Sequence, residues 1–254
     1  MKAYDLAIKF TCLIIGYFIT AKIIFYVVEI PPSPMRIVGF QLGLFIASYG
    51  FVRFMGVTIR NQPSVIKVDV SDWLKICFCI FILEIGTASV SKGMFQSNPV
   101  DINRNFEVSG FLVFLSVVLL APLIEEYIFR KVLYNLLSET STKIAIAFTT
   151  IFFASLHLPI NYAVATLGSS FGLTYIYSKT SNLTLVVACH SLLNLVSFVF
   201  VANRPIAAVK SNDSLHDQIA NVVLGIVITL LGFYLIKRRA AKINTYYERI
   251  ENNI

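Results

Sequence analysis

Charge is what this sequence has least of. Asp, Glu, Lys and Arg make up 14% of its 254 residues, where a soluble domain carries about 25%. That deficit excludes an ordinary water-soluble domain. Histidine is scarcer still, with three copies, so chemistry that needs imidazole has few places to be. The four cysteines, Cys12, Cys77, Cys79 and Cys189, all fall inside apolar runs. They read as small buried hydrophobes, with no disulfide framework and no zinc site. No internal repeat, low-complexity segment or second domain is visible. The first apolar run lacks a small-residue cleavage site, so it reads as a retained span and not as a signal peptide.

What the chain has instead is length of apolar run. It is 57% hydrophobic, with a mean hydropathy of +0.75, and several runs approach the ~20 residues that cross a bilayer as a helix. The runs are continuous, without the period-two alternation of a transmembrane barrel. The fold class expected is therefore all-α: a polytopic transmembrane helical bundle of about eight spans, forming a single membrane domain over 1–254. The net charge of +7 is explained by basic cytoplasmic loops and needs no nucleic-acid partner.

The expected spans are about Leu6–Val28, Ile37–Thr58, Trp73–Val90, Phe106–Leu137, Lys143–Leu158, Asn161–Tyr177, Asn182–Ala202 and Gln218–Ile236. Pro31, Pro32 and Pro34 break the chain after the first. Lys237, Arg238 and Arg239 stop the last. Gly168, Ser169, Ser170 and Gly172 allow close helix packing in the sixth. Eight spans put both termini on one side, and basic residues crowd that side: Lys2, Lys9, Arg60, Lys67, Lys143, Lys179, Lys237 and Arg238 among them. By the positive-inside rule that side is the cytoplasm.

The fourth span is longer than a ~30 Å hydrocarbon core needs. Pro122 is its expected bend. Just beyond it stand Glu125, Glu126 and Arg130, three charges in an apolar segment. Each costs about 2.5–3.5 kcal/mol at bilayer depth, so the cluster reads as a functional site. Glu126 and Arg130 are four apart and share a helix face, so they can pair. Glu125 points about 100° away. Left less paired and desolvated, it suits a general base.

Two further segments break the apolar pattern. Phe153-Ala-Ser-Leu-His157 puts a ring and an imidazole one helical turn apart in span five. His190-Ser-Leu-Leu-Asn194 does the same for an imidazole and an amide in span seven. Counted from the cytoplasmic ends, Glu125, His157 and His190 lie at about 18, 21 and 12 Å, taking roughly 1.5 Å per residue. They could converge if the three spans are neighbours. Taken alone, each motif has a bland reading. A membrane histidine is often a structural donor, Glu126 with Arg130 is an ion pair fixing an interface, and Phe153 is packing. Glu84 in span three has no obvious partner, and His216 lies in a loop.

These three motifs, in this order, resemble the CPBP family, which joins type II CAAX prenyl endopeptidases to bacterial bacteriocin-processing and self-immunity (Abi) proteins. The family pattern is two glutamates, three residues and an arginine, then Phe-x-x-x-His, then His-x-x-x-Asn. The resemblance covers roughly Val117–Val199, inside a motif-bearing core of about 106–202. It implies an intramembrane glutamic endopeptidase whose partners are the lipid bilayer and a membrane-associated peptide or protein substrate. It also implies roles. Glu125 and His157 activate a water, His190 and Asn194 hold the oxyanion, and Glu126, Arg130 and Phe153 support them. No cofactor is expected. Zinc, held by two histidines and a glutamate, is a minority alternative, since His-Glu-x-x-His is absent. Two rivals stay open: a non-catalytic scaffold or immunity protein, and a proton-coupled small-solute transporter. The expected location is the plasma membrane, and the absence of a eukaryotic targeting signal favours a bacterial source.

Overall fold

A computed structural model describes residues 3–27, 34–56, 68–95, 110–157, 159–202 and 214–251. The break at Pro31-Pro32, the polar stretch from Arg60 to Lys67, the loop holding Asn98-Pro99 and the loop from Asn203 to Asp213 lie outside them. The described residues form eight helices and no strand. They are α1 Ala3–Val27, α2 Pro34–Phe54, α3 Val70–Phe95, α4 Phe111–Ser138, α5 Thr142–Ser155, α6 Ile160–Thr180, α7 Leu183–Ala202 and α8 Leu215–Glu251. Five of them (α1, α2, α3, α4 and α8) are long and apolar enough to cross a membrane, and α5 and α7 are shorter apolar helices. The protein is a multi-pass, all-α membrane protein.

Most boundaries fall within a few residues of those expected from hydropathy. The main departure is α8. The Lys237-Arg238-Arg239 run was expected to stop it, yet the helix continues to Glu251. A basic cluster ends a membrane crossing without ending the backbone hydrogen-bond ladder, because lysine and arginine are good helix formers. His216 is also not in a loop. It sits in the first turn of α8, exposed, just after a capping box in which the Asp217 N–H donates to Ser214 Oγ at 3.2 Å and the Ser214 N–H donates to Asp217 Oδ2 at 3.1 Å.

The chain sorts into two compact units. One takes Met1–Asn61, Asp101–Ala145 and Asn194–Arg204, and the other Gln62–Val100, Ile146–Leu193 and Pro205–Ile254. In the first, α1 and α2 pack through aromatic rings, with Phe10 against Phe51 at 5.3 Å and Phe18 edge-on to Phe40 at 5.0 Å. Phe45 of α2 meets Tyr127 of α4 at 5.4 Å. Lipid offers no hydrophobic drive between helices, so such contacts rest on shape and ring geometry.

The second unit is built on small residues. α3 and α8 run antiparallel, and glycines keep their backbones close. A Cβ on Gly225 would stand 2.6 Å from the Val90 nitrogen and 2.7 Å from the Gly86 oxygen. A Cβ on Gly93 would stand 2.9 Å from the Val222 nitrogen. At one end Arg239 donates to Asp72 at 3.0 Å. The expected small-residue face of α6 packs on α3: Gly172 lies against Ile80, and Gly168 against the Leu83 carbonyl. Hydroxyls add to it, with Thr87 Oγ1 donating to the Ala165 carbonyl at 2.6 Å and Ser91 Oγ to that of Asn161 at 2.6 Å.

Of the four cysteines, Cys77, Cys79 and Cys189 are buried, as expected, and all are free thiols. Cys12 is a correction: it is exposed on α1. An apolar run only says that a residue is compatible with hydrocarbon, and on a lipid-facing helix that is satisfied outside the protein. Cys77 and Cys189 bring α3 and α7 together, their sulfurs 2.7 Å apart.

Candidate active site

The helix that carries the acids is not uniformly α-helical. In α4 the segments Leu115–Leu120 and Tyr127–Tyr134 are π-helical, and Ala121–Glu126 between them is α-helical. Pro122, where a bend was expected, stands between two widened stretches of the ladder. π-Helical turns inside α-helices are rare and occur often at functional sites. Pro122 itself is buried, beside Ala121 and Ile124, while Leu119 and Leu123 are exposed toward lipid.

Between the two wide turns the tandem acids separate as helical geometry requires. Glu126 is fully buried and accepts from Arg130 Nη1 at 2.9 Å, and Arg130 is fully buried too. One turn apart on one face, they form an enclosed ion pair. Glu125 is only half-buried and projects from a different azimuth. Charges this deep persist only when paired and hydrogen-bonded, which explains why Arg130 stays inside the helix and does not snorkel out.

Asn194 belongs to the same compact unit. Its Nδ2 donates to the Val117 carbonyl on the first wide turn, at 2.9 Å. The neighbouring Ser116 carbonyl accepts from Gln41 Nε2 at 3.4 Å, and Ser116 Oγ donates to Gln41 Oε1 at 3.2 Å.

The histidines lie in the other unit. α7 starts at a clean N-cap, the Leu185 N–H donating to Asn182 Oδ1 at 2.9 Å, and carries His190 into a nearly closed environment, 7% exposed. His157 was expected within a helix; it lies just beyond the end of α5, which stops at Ser155. Pro159 is the reason: it has no N–H to give the Ser155 carbonyl, so the ladder cannot continue. The chain tightens, with the His157 N–H donating to the Ala154 carbonyl at 3.0 Å. The imidazole turns back on its own helix, Nδ1 standing 3.0 Å from the Phe153 carbonyl. A carbonyl can only accept, so Nδ1 carries the hydrogen, and in the neutral ring Nε2 is left as the acceptor.

Phe153 touches both imidazoles. Its ring lies 4.8 Å from that of His157 and 5.8 Å, edge-on, from that of His190. Packing was the bland reading of Phe153, and what it packs is the two histidines. Glu84, read from the sequence as an acid with no obvious partner, belongs to the same unit as the histidines. It stands in α3, within electrostatic range of His190. Its only sequence signal is an acid in an apolar span, seven residues and so two turns after Cys77, whose sulfur meets that of Cys189 beside His190. Among the described residues no three His, Cys, Asp or Glu side chains gather as a ligand set.

The site residues thus form two sets. Glu125, Glu126, Arg130 and Asn194 belong to one compact unit, and His157, Phe153, His190 and Glu84 to the other. Every sequence motif involved falls in one matched stretch. Residues 107–196 match the type II CAAX prenyl endopeptidase Rce1-like family. The match begins ahead of α4 and ends just after Asn194, so both π-helical turns, the acids, the Phe-His pair and the His-Asn pair lie within it. Over that stretch the chain is similar to the Rce1-like family, and the stretch lies among helices apolar enough to cross a membrane. Comparison with curated proteins and with solved structures returned no match.

Proposed function

We propose that this protein is an intramembrane endopeptidase that hydrolyses a peptide bond in a membrane-associated peptide or protein, using a water activated by Glu125 and His157. The observation that carries the proposal is the family match over 107–196, which takes in all three polar motifs at once. The local geometry supports the roles. Glu126 is enclosed with Arg130, and Glu125 is the half-buried acid of the tandem; a carboxylate there can take a proton from water. His157 is anchored through Nδ1, which leaves Nε2 to orient that water or to relay a proton.

In the reaction, Glu125 removes one proton from the water and the hydroxide attacks the scissile carbonyl carbon. The carbonyl oxygen becomes an oxyanion, to which the His190 imidazole N–H donates; one such donor is typically worth about 10²–10³ in rate. Collapse of the tetrahedral intermediate breaks the C–N bond, and the proton held by Glu125 passes through His157 Nε2 to the leaving amine. The second hydrogen of the water stays on the new carboxyl group. We place the protein in the plasma membrane with both termini in the cytoplasm, on the distribution of its basic residues.

The test is processing by the full chain in its membrane. Glu125→Ala, His157→Ala and His190→Ala should each abolish it while the protein remains folded and inserted. Comparing the membrane peptidome of a deletion strain with its complemented parent identifies the substrate. Full biological activity in all three variants would leave a scaffold or a transporter as the reading, and flux across sealed vesicles separates those two.

A further inference from the structure

The hydrogen-bond ladder of α4 lacks one rung. In the wide turn the N–H of residue i reaches the carbonyl of residue i−5, and the Ala121 N–H goes to the Ser116 carbonyl in this way. The next rung would join the N–H of residue 122 to the Val117 carbonyl. Residue 122 is proline and has no N–H. At membrane depth a freed carbonyl must find a donor in the protein. It finds one in Asn194, whose Nδ2 lies 2.9 Å away. Glu125 stands three residues beyond Pro122, on the short α-helical segment that this turn launches.

We infer that Asn194 is a positioning residue: its amide replaces the backbone donor that Pro122 removes, locks the first wide turn of α4, and so fixes the direction from which Glu125 meets the water. Through this contact it acts on the reaction by way of Glu125. This assignment deepens the proposed function and rests on Glu125 being the base. An aspartate at 194 has the same shape but, ionised, no donor, so it cannot hold the carbonyl. Conversely, an alanine at 122 restores an N–H to the backbone and makes the side-chain donor dispensable.

The experiment is a double-mutant cycle on the full chain in detergent, with wild type, Asn194→Ala, Pro122→Ala and the double variant, and with Asn194→Asp beside them. Misplacing a reacting group by about 1 Å can cost about 10²-fold. Asn194→Ala and Asn194→Asp are expected to lose on that order in kcat, with KM changed less than about twofold. In the Pro122→Ala background the same Asn194→Ala change should cost less than about threefold. The unfolding midpoint is read on the same four proteins and should show the same coupling, with Asn194→Ala lowering it in wild type and not in Pro122→Ala.

An equal cost of Asn194→Ala in both backgrounds overturns the inference and returns Asn194 to a direct oxyanion role. If Asn194→Ala fails to accumulate, accumulation of the double variant supports the clamp, and its failure to accumulate overturns it. Should wild type show no Glu125-dependent processing, the proposed function falls, and the midpoint cycle still decides whether Asn194 serves the Val117 carbonyl.

Discussion

Removing Arg130 alone should destabilise the protein far more than removing Arg130 and Glu126 together. The two side chains are wholly enclosed and meet at 2.9 Å. Arg130→Met leaves the Glu126 carboxylate buried without its cation, a change that costs about 3–5 kcal/mol. At about 2–4 °C per kcal/mol for a chain of this size class, the midpoint should fall by roughly 6–20 °C. Replacing both residues, with Arg130→Met and Glu126→Leu, leaves no charge to bury. For such swaps the expected change is from neutral to about 1–4 kcal/mol of added stability. The assay is the loss of soluble, folded protein in mild detergent as temperature rises. The reasoning is refuted if Arg130→Met costs less than about 1 kcal/mol, as an exposed pair would, or if the double variant is as unstable as the single one. A double variant that also retains Glu125-dependent processing would show that the second acid of the pair steadies the helix and takes no part in the chemistry.

Other outcomes follow from named contacts. Gly225→Ala pushes a methyl group toward the Val90 nitrogen at 2.6 Å and should cost about 1–3 kcal/mol. Gly16→Ala, with nothing within 4 Å, should be neutral or stabilise by about 0.5–1 kcal/mol, measured on the same melting assay. Phe153→Ala removes the ring that both imidazoles rest on and should cost about 3–5 kcal/mol. Phe153→Leu should keep more stability yet slow processing, because the imidazoles lose their shared edge. Treatment with a zinc chelator should leave processing unchanged; activity lost to the chelator and restored by zinc would replace the water-activating carboxylate with metal chemistry.

How far the fold was legible depends on what each feature is made of. Helices α1, α2, α3 and α7 announce themselves by hydropathy, because a bilayer demands a long apolar run whatever the neighbours are. The Glu126–Arg130 pair is equally local: a spacing of four settles it. The length of α8 was not legible, since hydropathy measures the membrane and not the helix. The placement of His157 failed for a related reason. A four-residue spacing from Phe153 suggested a helix, but Pro159 ends the ladder one turn early, and the imidazole reaches the Phe153 carbonyl by folding back. The sequence marks Glu84 only as an acid in an apolar span; its nearness to His190 was not legible, because the two are remote in sequence and α3 and α7 meet only in the fold. The π-helical turns of α4 left one trace, Pro122, and that pointed to a bend rather than to a widened ladder.

Those wide turns bear on which changes in length the chain can tolerate. A π-helical turn accommodates a residue more than the α-helical ladder around it. Deleting one residue from Leu115–Leu120 would therefore let the backbone relax toward an unbroken α-helix, and the segment would keep its hydropathy and still insert. Side chains beyond the turn, Glu125 and Glu126 among them, would keep their directions, because the wide turn absorbs the loss. The same deletion in the regular ladder of α1 has no wide turn to absorb it. There every later side chain would turn by about 100° relative to those before it, and the ring packing of α1 on α2 would be lost.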